Sequence, residues 1–145
     1  MGFSVSGSAA IVFAGMFIAF GLFHAAASDS FERVSEARQA ESDADLDQQN
    51  TAIAVQSATY DDTNDLISLD VENTGSSSLS LNETDILVDN EYITGWQDGA
   101  TVGSNSDTDL LLPGETVSVS LSQTTRPSQV RVVTAHGVAD TEVFN

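Results

Sequence analysis

Residues 5–27 read VSGSAAIVFAGMFIAFGLFHAAA, from Val5 to Ala27, with no formally charged residue in the run. A bilayer core about 30 Å thick is crossed by roughly 20 apolar residues of helix at about 1.5 Å per residue. The run is long enough to span with some tilt, and longer than the apolar core of a secretory signal. No Lys or Arg precedes it, which also departs from the signal layout, although Ala25-Ala26-Ala27 imitates a small-residue cleavage site. A buried core helix of a soluble protein needs apolar helical neighbours, and the rest of the sequence offers none. The run therefore reads as a single uncleaved membrane span, with everything after it on one side.

Inside this span small residues recur four apart: Ala10 with Ala14, Gly15 with Ala19, Gly21 with Ala25. In lipid such spacing lets two helices approach closely, because packing rather than hydrophobicity drives their association. A homodimer or bundle contact is one reading, and the ordinary abundance of Gly and Ala in spans is the other. Phe13, Phe17, Phe20 and Phe23 fall on one helical face at spacings of 4, 3 and 3. His24 closes the span as an interfacial residue.

Residues 29–49 continue as a helical stalk, rich in Ala, Glu, Gln and Arg. Its seven acids against two arginines read as a solvated spacer, fraying into a linker over Asp43–Gln49. The division expected is an anchor over 1–28, a stalk over 29–49 and a globular head over 50–145.

From Thr51 the hydrophobic period changes from helical to two. Ile53, Val55 and Ser57 open a first strand, and the acidic turn Asp61–Asp65 follows. Ile67, Leu69 and Val71 alternate with Ser68, Asp70 and Glu72, a half-buried strand closed by Asn73-Thr74-Gly75. Leu79 with Leu81, Ile86–Val88, Tyr92-Ile93, Val117–Leu121 and Val130–Val133 give further short strands. Asp89-Asn90, Pro113-Gly114, Arg126-Pro127 and His136-Gly137 are the turns between elements. Gly95–Asp109 reads as one irregular stretch, Leu110–Leu112 as a buried run, and Val143-Phe144 as a weak tail. About seven strands with turn signals every 8–12 residues indicate an immunoglobulin-like antiparallel sandwich.

Composition narrows the function. The net charge is −18, from 22 acidic and 4 basic residues, all of the latter arginine. Such a surface repels nucleic acid, so no nucleic-acid partner is expected. It suits high salt, where self-repulsion is screened, and acidic excess without lysine indicates a halophile. There is no cysteine, which excludes disulfides and thiol chemistry. No nucleophile elbow, dinucleotide fingerprint or phosphate loop is present, so neither an enzyme nor a cofactor is expected. Asn105, Asp107 and Asp109 sit like the start of a calcium loop, but Leu110 and Thr116 occupy its Gly and Glu positions. A solvated loop is the expectation there, with no metal site assigned and an irregular cation site left open.

Asn82-Glu83-Thr84 fits the N-glycosylation pattern and makes Asn82 a modification candidate. Tyr92 and Trp96, beside a glycine-rich loop, are partner-contact candidates, or else core filling at the sandwich edge. Arg33 and Arg38 after the span weakly favour the cytoplasm by the positive-inside rule, but acids dilute them. The short uncharged amino-terminal tail and the sequon favour the reverse. The expected orientation is amino terminus inside and head outside the cell membrane.

Four stretches carry a resemblance: residues 1–38 (MGFSVSGSAAIVFAGMFIAFGLFHAAASDSFERVSEAR), 48–53 (QQNTAI), 104–116 (SNSDTDLLLPGET) and 130–140 (VRVVTAHGVAD). They resemble the haloarchaeal archaellum protein F family, the membrane-anchored stator component of the archaeal swimming motor. The resemblance implies an extracellular immunoglobulin-like sandwich on one helix. It also implies binding to the surface-layer protein and to the stator G component, so that the archaellum motor is held stationary. The rival is a filament subunit of the pilin or archaellin kind, which also joins an apolar helix to a β domain. Such subunits carry a short basic leader before the helix, and none is read ahead of this one. A generic membrane-anchored surface adhesin is the third reading.

Overall fold

The computed structural model describes residues 2–144 and divides the chain into two compact units, residues 1–43 and 44–145. Met1, the first residue of the expected 1–28 anchor, and Asn145 lie outside the described residues.

The first unit is helical. Helix α1 runs Gly2–Asn50, and it is the described helix long and apolar enough to cross a membrane. Ile11, Phe13, Met16, Phe17, Phe20 and Phe23 all stand exposed on it. Water is a poor neighbour for that much apolar surface; lipid is a suitable one. Ser30 does not interrupt the helix, because its hydroxyl donates back to the Ala26 carbonyl at 2.7 Å.

The second unit opens with the last turn of α1. Helix continues through the Asp43–Gln49 stretch where the sequence suggests fraying. The reason is a cap. The Asn50 carbonyl accepts from Ser76 N–H at 2.8 Å and Ser77 N–H at 3.2 Å, and the Thr51 hydroxyl donates to the Asp47 carbonyl at 2.7 Å. Carbonyls that a free helix end would leave to water are thus satisfied by the head.

Beyond it ten strands form: β1 (Ile53–Asp61), β2 (Leu66–Asn73), β3 (Leu79–Ser80), β4 (Asp85–Val88), β5 (Glu91–Ile93), β6 (Ala100–Val102), β7 (Leu110–Leu111), β8 (Thr116–Ser122), β9 (Gln129–Val133) and β10 (Ala139–Val143). One sheet has the order β1-β2-β8-β6, the other β10-β9-β4-β5, and β3 pairs with β7. Every pairing is antiparallel. This is the expected immunoglobulin-like sandwich behind one apolar helix.

The core is what the alternation dictates. Ile67, Leu69 and Val71 of β2, Val117, Val119 and Leu121 of β8, Ile86 and Val88 of β4, and Val130 and Val132 of β9 are all buried between the sheets. Each fully buried aliphatic side chain contributes about 1.5–3 kcal/mol relative to exposure. A bulge between Val55 and Ser57 frees the Val55 N–H from the ladder, and the Asp140 carboxylate accepts it at 2.8 Å. That bond joins the edge strands β1 and β10 of the two sheets.

Four local readings change. Gly95–Asp109 is not simply irregular: it holds a 3-10 turn at Trp96–Gly99 and the edge strand β6. Leu110–Leu112 is not a buried run; strand alternation buries Leu111 and leaves Leu110 44% and Leu112 43% exposed. The weak tail is a full strand, β10, held by five register pairs to β9. Leu81 is buried, but in a 3-10 turn (Leu81–Glu83) that follows the two-residue β3.

Candidate functional site

Each unit presents one surface of interest. On α1, the candidates Ala10, Ala14, Gly15, Ala19, Gly21 and Ala25 are all exposed. At 3.6 residues per turn they do not form one stripe. Ala10, Ala14, Gly21 and Ala25 share a side, whereas Gly15 and Ala19 lie away from it. An added Cβ at Gly15 or Gly21 would meet nothing within 4 Å, so nothing among the described residues requires glycine there. Phe13, Met16, Phe17 and Phe20 line a shallow apolar groove along the adjacent side. The Phe20 and His24 rings follow it, with centroids 6.4 Å apart.

On the head, Tyr92 and Trp96 are not brought together. Tyr92 is 54% exposed, while Trp96 is 3% exposed and belongs to the core, so it is no surface contact. The cause is local. Gly95 adopts the left-handed region (φ 71°), which turns the chain inward and lets the 3-10 turn drop the indole between the sheets. Gly99 then passes so close to β8 that an added Cβ would lie 2.8 Å from the Ser120 carbonyl oxygen. The Trp96 Nε1 is buried with no hydrogen-bond partner among the described residues.

Asn82 is exposed on its 3-10 turn, and its amide donates to the Asp109 carboxylate at 3.0 Å. Thr84 of the same tripeptide is buried, its hydroxyl held by the Ser80 carbonyl at 2.8 Å. The Asn105 side chain caps the Asp107 N–H at 2.9 Å, so it and Asp109 both have partners within the loops. Among the described residues no three His, Asp or Glu side chains group to hold a metal.

The two outward sheet faces differ in chemistry. Asp70, on the β1-β2-β8-β6 sheet, accepts from the Ser57 hydroxyl at 2.8 Å and the Ser118 hydroxyl at 2.6 Å. The Ser118 bond first, and the Ser57 bond second, hold the Asp70 carboxyl below its ordinary value. Thr59, Ser68 and Ser120 continue this hydroxyl-lined face. On the β10-β9-β4-β5 sheet, a single row crosses all four strands: Thr141, Arg131, Leu87 and Tyr92. Repulsion of the ionised phenolate by the neighbouring Asp85 carboxylate, ahead of burial, raises the Tyr92 pKa. The sequence marked Tyr92 but missed Leu87 and Arg131, whose signal was the outward position of each in an alternating strand.

The family model for archaeal-type flagellin matches residues 2–144. Among curated proteins none matches significantly. Similar solved structures include the archaellum periplasmic stator protein FlaG from Sulfolobus acidocaldarius, at 18% identity and TM-score 0.48, covering 65% of this chain and 99% of that one. They also include the archaellum periplasmic stator protein complex FlaF and FlaG from the same organism, at 18% identity and TM-score 0.44, covering 63% of this chain and 87% of that chain.

Proposed function

The chain belongs to the archaeal-type flagellin family, and from that premise we propose that it is a non-enzymatic stator component of the archaellum. Residues 1–28 anchor it in the cell membrane, 29–49 form an acidic stalk, and 50–145 form a head outside the cell. The head binds the surface-layer protein and the stator G component, and so ties the motor to something that does not turn. A high-salt habitat accounts for the charge.

The observation that carries this reading is a pairing of opposites. The apolar part of the helix stands exposed from Gly7 to Ala26, with lipid the suitable cover, and a β head follows whose interior is mainly aliphatic packing. The resemblance of residues 1–38, 104–116 and 130–140 to the stator family supports the same role. The mechanics are elementary. A rotary motor delivers torque only if some part resists rotation. A lone helix slips in a fluid bilayer, whereas a head fixed to a rigid outer lattice does not.

Removing residues 50–145 while keeping the anchor tests it. Swimming should stop while filaments still assemble at least in part, and normal swimming would refute the role. A second reading, a filament subunit, is favoured by the description of the family itself. In that case the helix is covered by copies of itself in a polymer rather than by lipid, and head removal would abolish filaments altogether.

A further inference from the structure

The two outward faces of the sandwich are built from different residues, and only one has the composition of a protein contact. The face on the β1-β2-β8-β6 sheet is hydroxyl and carboxylate, with its Ser and Asp side chains already bonded to one another. The opposite face carries Leu87, Tyr92, Arg131, Val133, Thr141 and Val143. Tyr92 and Val143 are more than half exposed, which is unusual surface for a chain of net charge −18. Tyr and Arg among aliphatics are the residues enriched at interface centres and in hot spots.

Arg131 gives the face its polarity. It is one of only two basic residues of the head, and the other, Arg126, faces Asp62 at 3.6 Å. Arg131 has no ion pair among the described residues and stands between Thr141 and Leu87, in the middle of the row. The outward carboxylate nearest in register, Asp85, stands two positions along β4 from Leu87 and forms no ion pair with Arg131 among the described residues. An exposed arginine flanked by Leu87 and Val133 is suited to a planar, two-pronged bond with a carboxylate arriving from outside. A second copy docked by this same face about its centre would set Arg131 against Arg131, which like-charge repulsion opposes.

We propose that the outward face of the β10-β9-β4-β5 sheet is the docking surface of the head, and that its occupant is a separate protein presenting a carboxylate to Arg131 within an apolar surround. This rests on the reading that the head works by holding another protein, and it names the face that does so.

The test is photo-crosslinking of the full-length chain in its own cells, with a benzophenone amino acid at position 92 or, on the opposite face, at position 120. Adducts are identified by mass spectrometry. Position 92 should capture a separate protein through a segment containing Asp or Glu, and position 120 should capture none. Arg131→Glu should lower that adduct at least tenfold, and Arg131→Lys should keep a third or more of it. Unchanged Trp96 emission shows that each variant head is folded. Capture at position 120 instead, capture at 92 of another copy or of lipid alone, no adduct at either position, or indifference to Arg131→Glu would each overturn the assignment. The two proposals separate cleanly. Capture of a filament subunit at 92 sinks the stator reading and leaves the face standing. Loss of swimming on head removal, with no adduct at 92, does the reverse.

Discussion

Replacing Gly75 with alanine should loosen the junction at which α1 meets the head. An added Cβ there would lie 2.5 Å from the Asn50 carbonyl oxygen and 2.6 Å from the Ala52 nitrogen. Both are backbone atoms, so no side chain can swing aside and the β2–β3 loop must retreat. That loop supplies four bonds: Thr74 N–H and Gly75 N–H to the Ala52 carbonyl at 3.0 and 2.9 Å, and Ser76 N–H and Ser77 N–H to the Asn50 carbonyl at 2.8 and 3.2 Å. At about 1 kcal/mol each, losing two costs about 2 kcal/mol, and residual crowding adds about 1 kcal/mol. For a domain of roughly 100 residues, about 3 kcal/mol lowers the unfolding midpoint by about 12–24 °C. Trp96 is the only tryptophan and lies in the core, so its fluorescence reports head unfolding directly in the full-length protein held in detergent. Ser76→Ala, which loses only an exposed 3.3 Å hydroxyl bond to Asn50, is the control and should shift the midpoint by no more than a few degrees. A Gly75→Ala midpoint equal to that of the control would refute the reasoning about this junction.

Other perturbations have equally definite outcomes. Asp70 has a lowered pKa in the fold, so its contribution is complete above the unfolded value near 3.8 and is lost as pH falls through the folded one. Asp70→Asn should therefore destabilise the head at about pH 7 and converge with the parent in acid; an equal gap at both ends of the titration would be wrong for this account. Leu69→Ala removes a side chain that is 1% exposed, and equilibrium unfolding should show a loss of about 2–5 kcal/mol. Asn90 has φ 69°, so Asn90→Val should cost about 1–2 kcal/mol while Asn90→Gly is nearly neutral, as read by the same unfolding curves. With a net charge of −18, the midpoint should rise with KCl between about 0.1 and 1 M, as the Debye length falls from about 10 to about 3 Å. A salt-independent midpoint would remove self-repulsion from the picture.

The parts of the fold that sequence made legible are those where one physical rule dominates. Ile67, Leu69 and Val71 announce β2 because burial on one side of a pleat forces alternation, and Asp89-Asn90 announces a hairpin because both residues take positive φ. β6 was hidden because only three residues pair, next to glycines that read as loop. β10 was hidden because an edge strand needs few apolar residues: Asp140 and Glu142 belong to it, and Asp140 is useful there for its bond to Val55. The helix end was misjudged because its cap comes from Ser76 and Ser77, far along the chain, where no local propensity could reveal it. For the same reason Tyr92 and Trp96 looked equivalent. Three intervening residues, including Gly95 at positive φ, place one on the surface and the other in the core.

The central claim is that the chain is a fixed, lipid-anchored part rather than a building block of the filament. Quantitative mass spectrometry of sheared, purified filaments beside the membrane fraction tests it most directly. The account predicts that this chain stays with the membranes and is absent from filaments. Its presence in filaments at a level comparable to the main subunit would contradict the account.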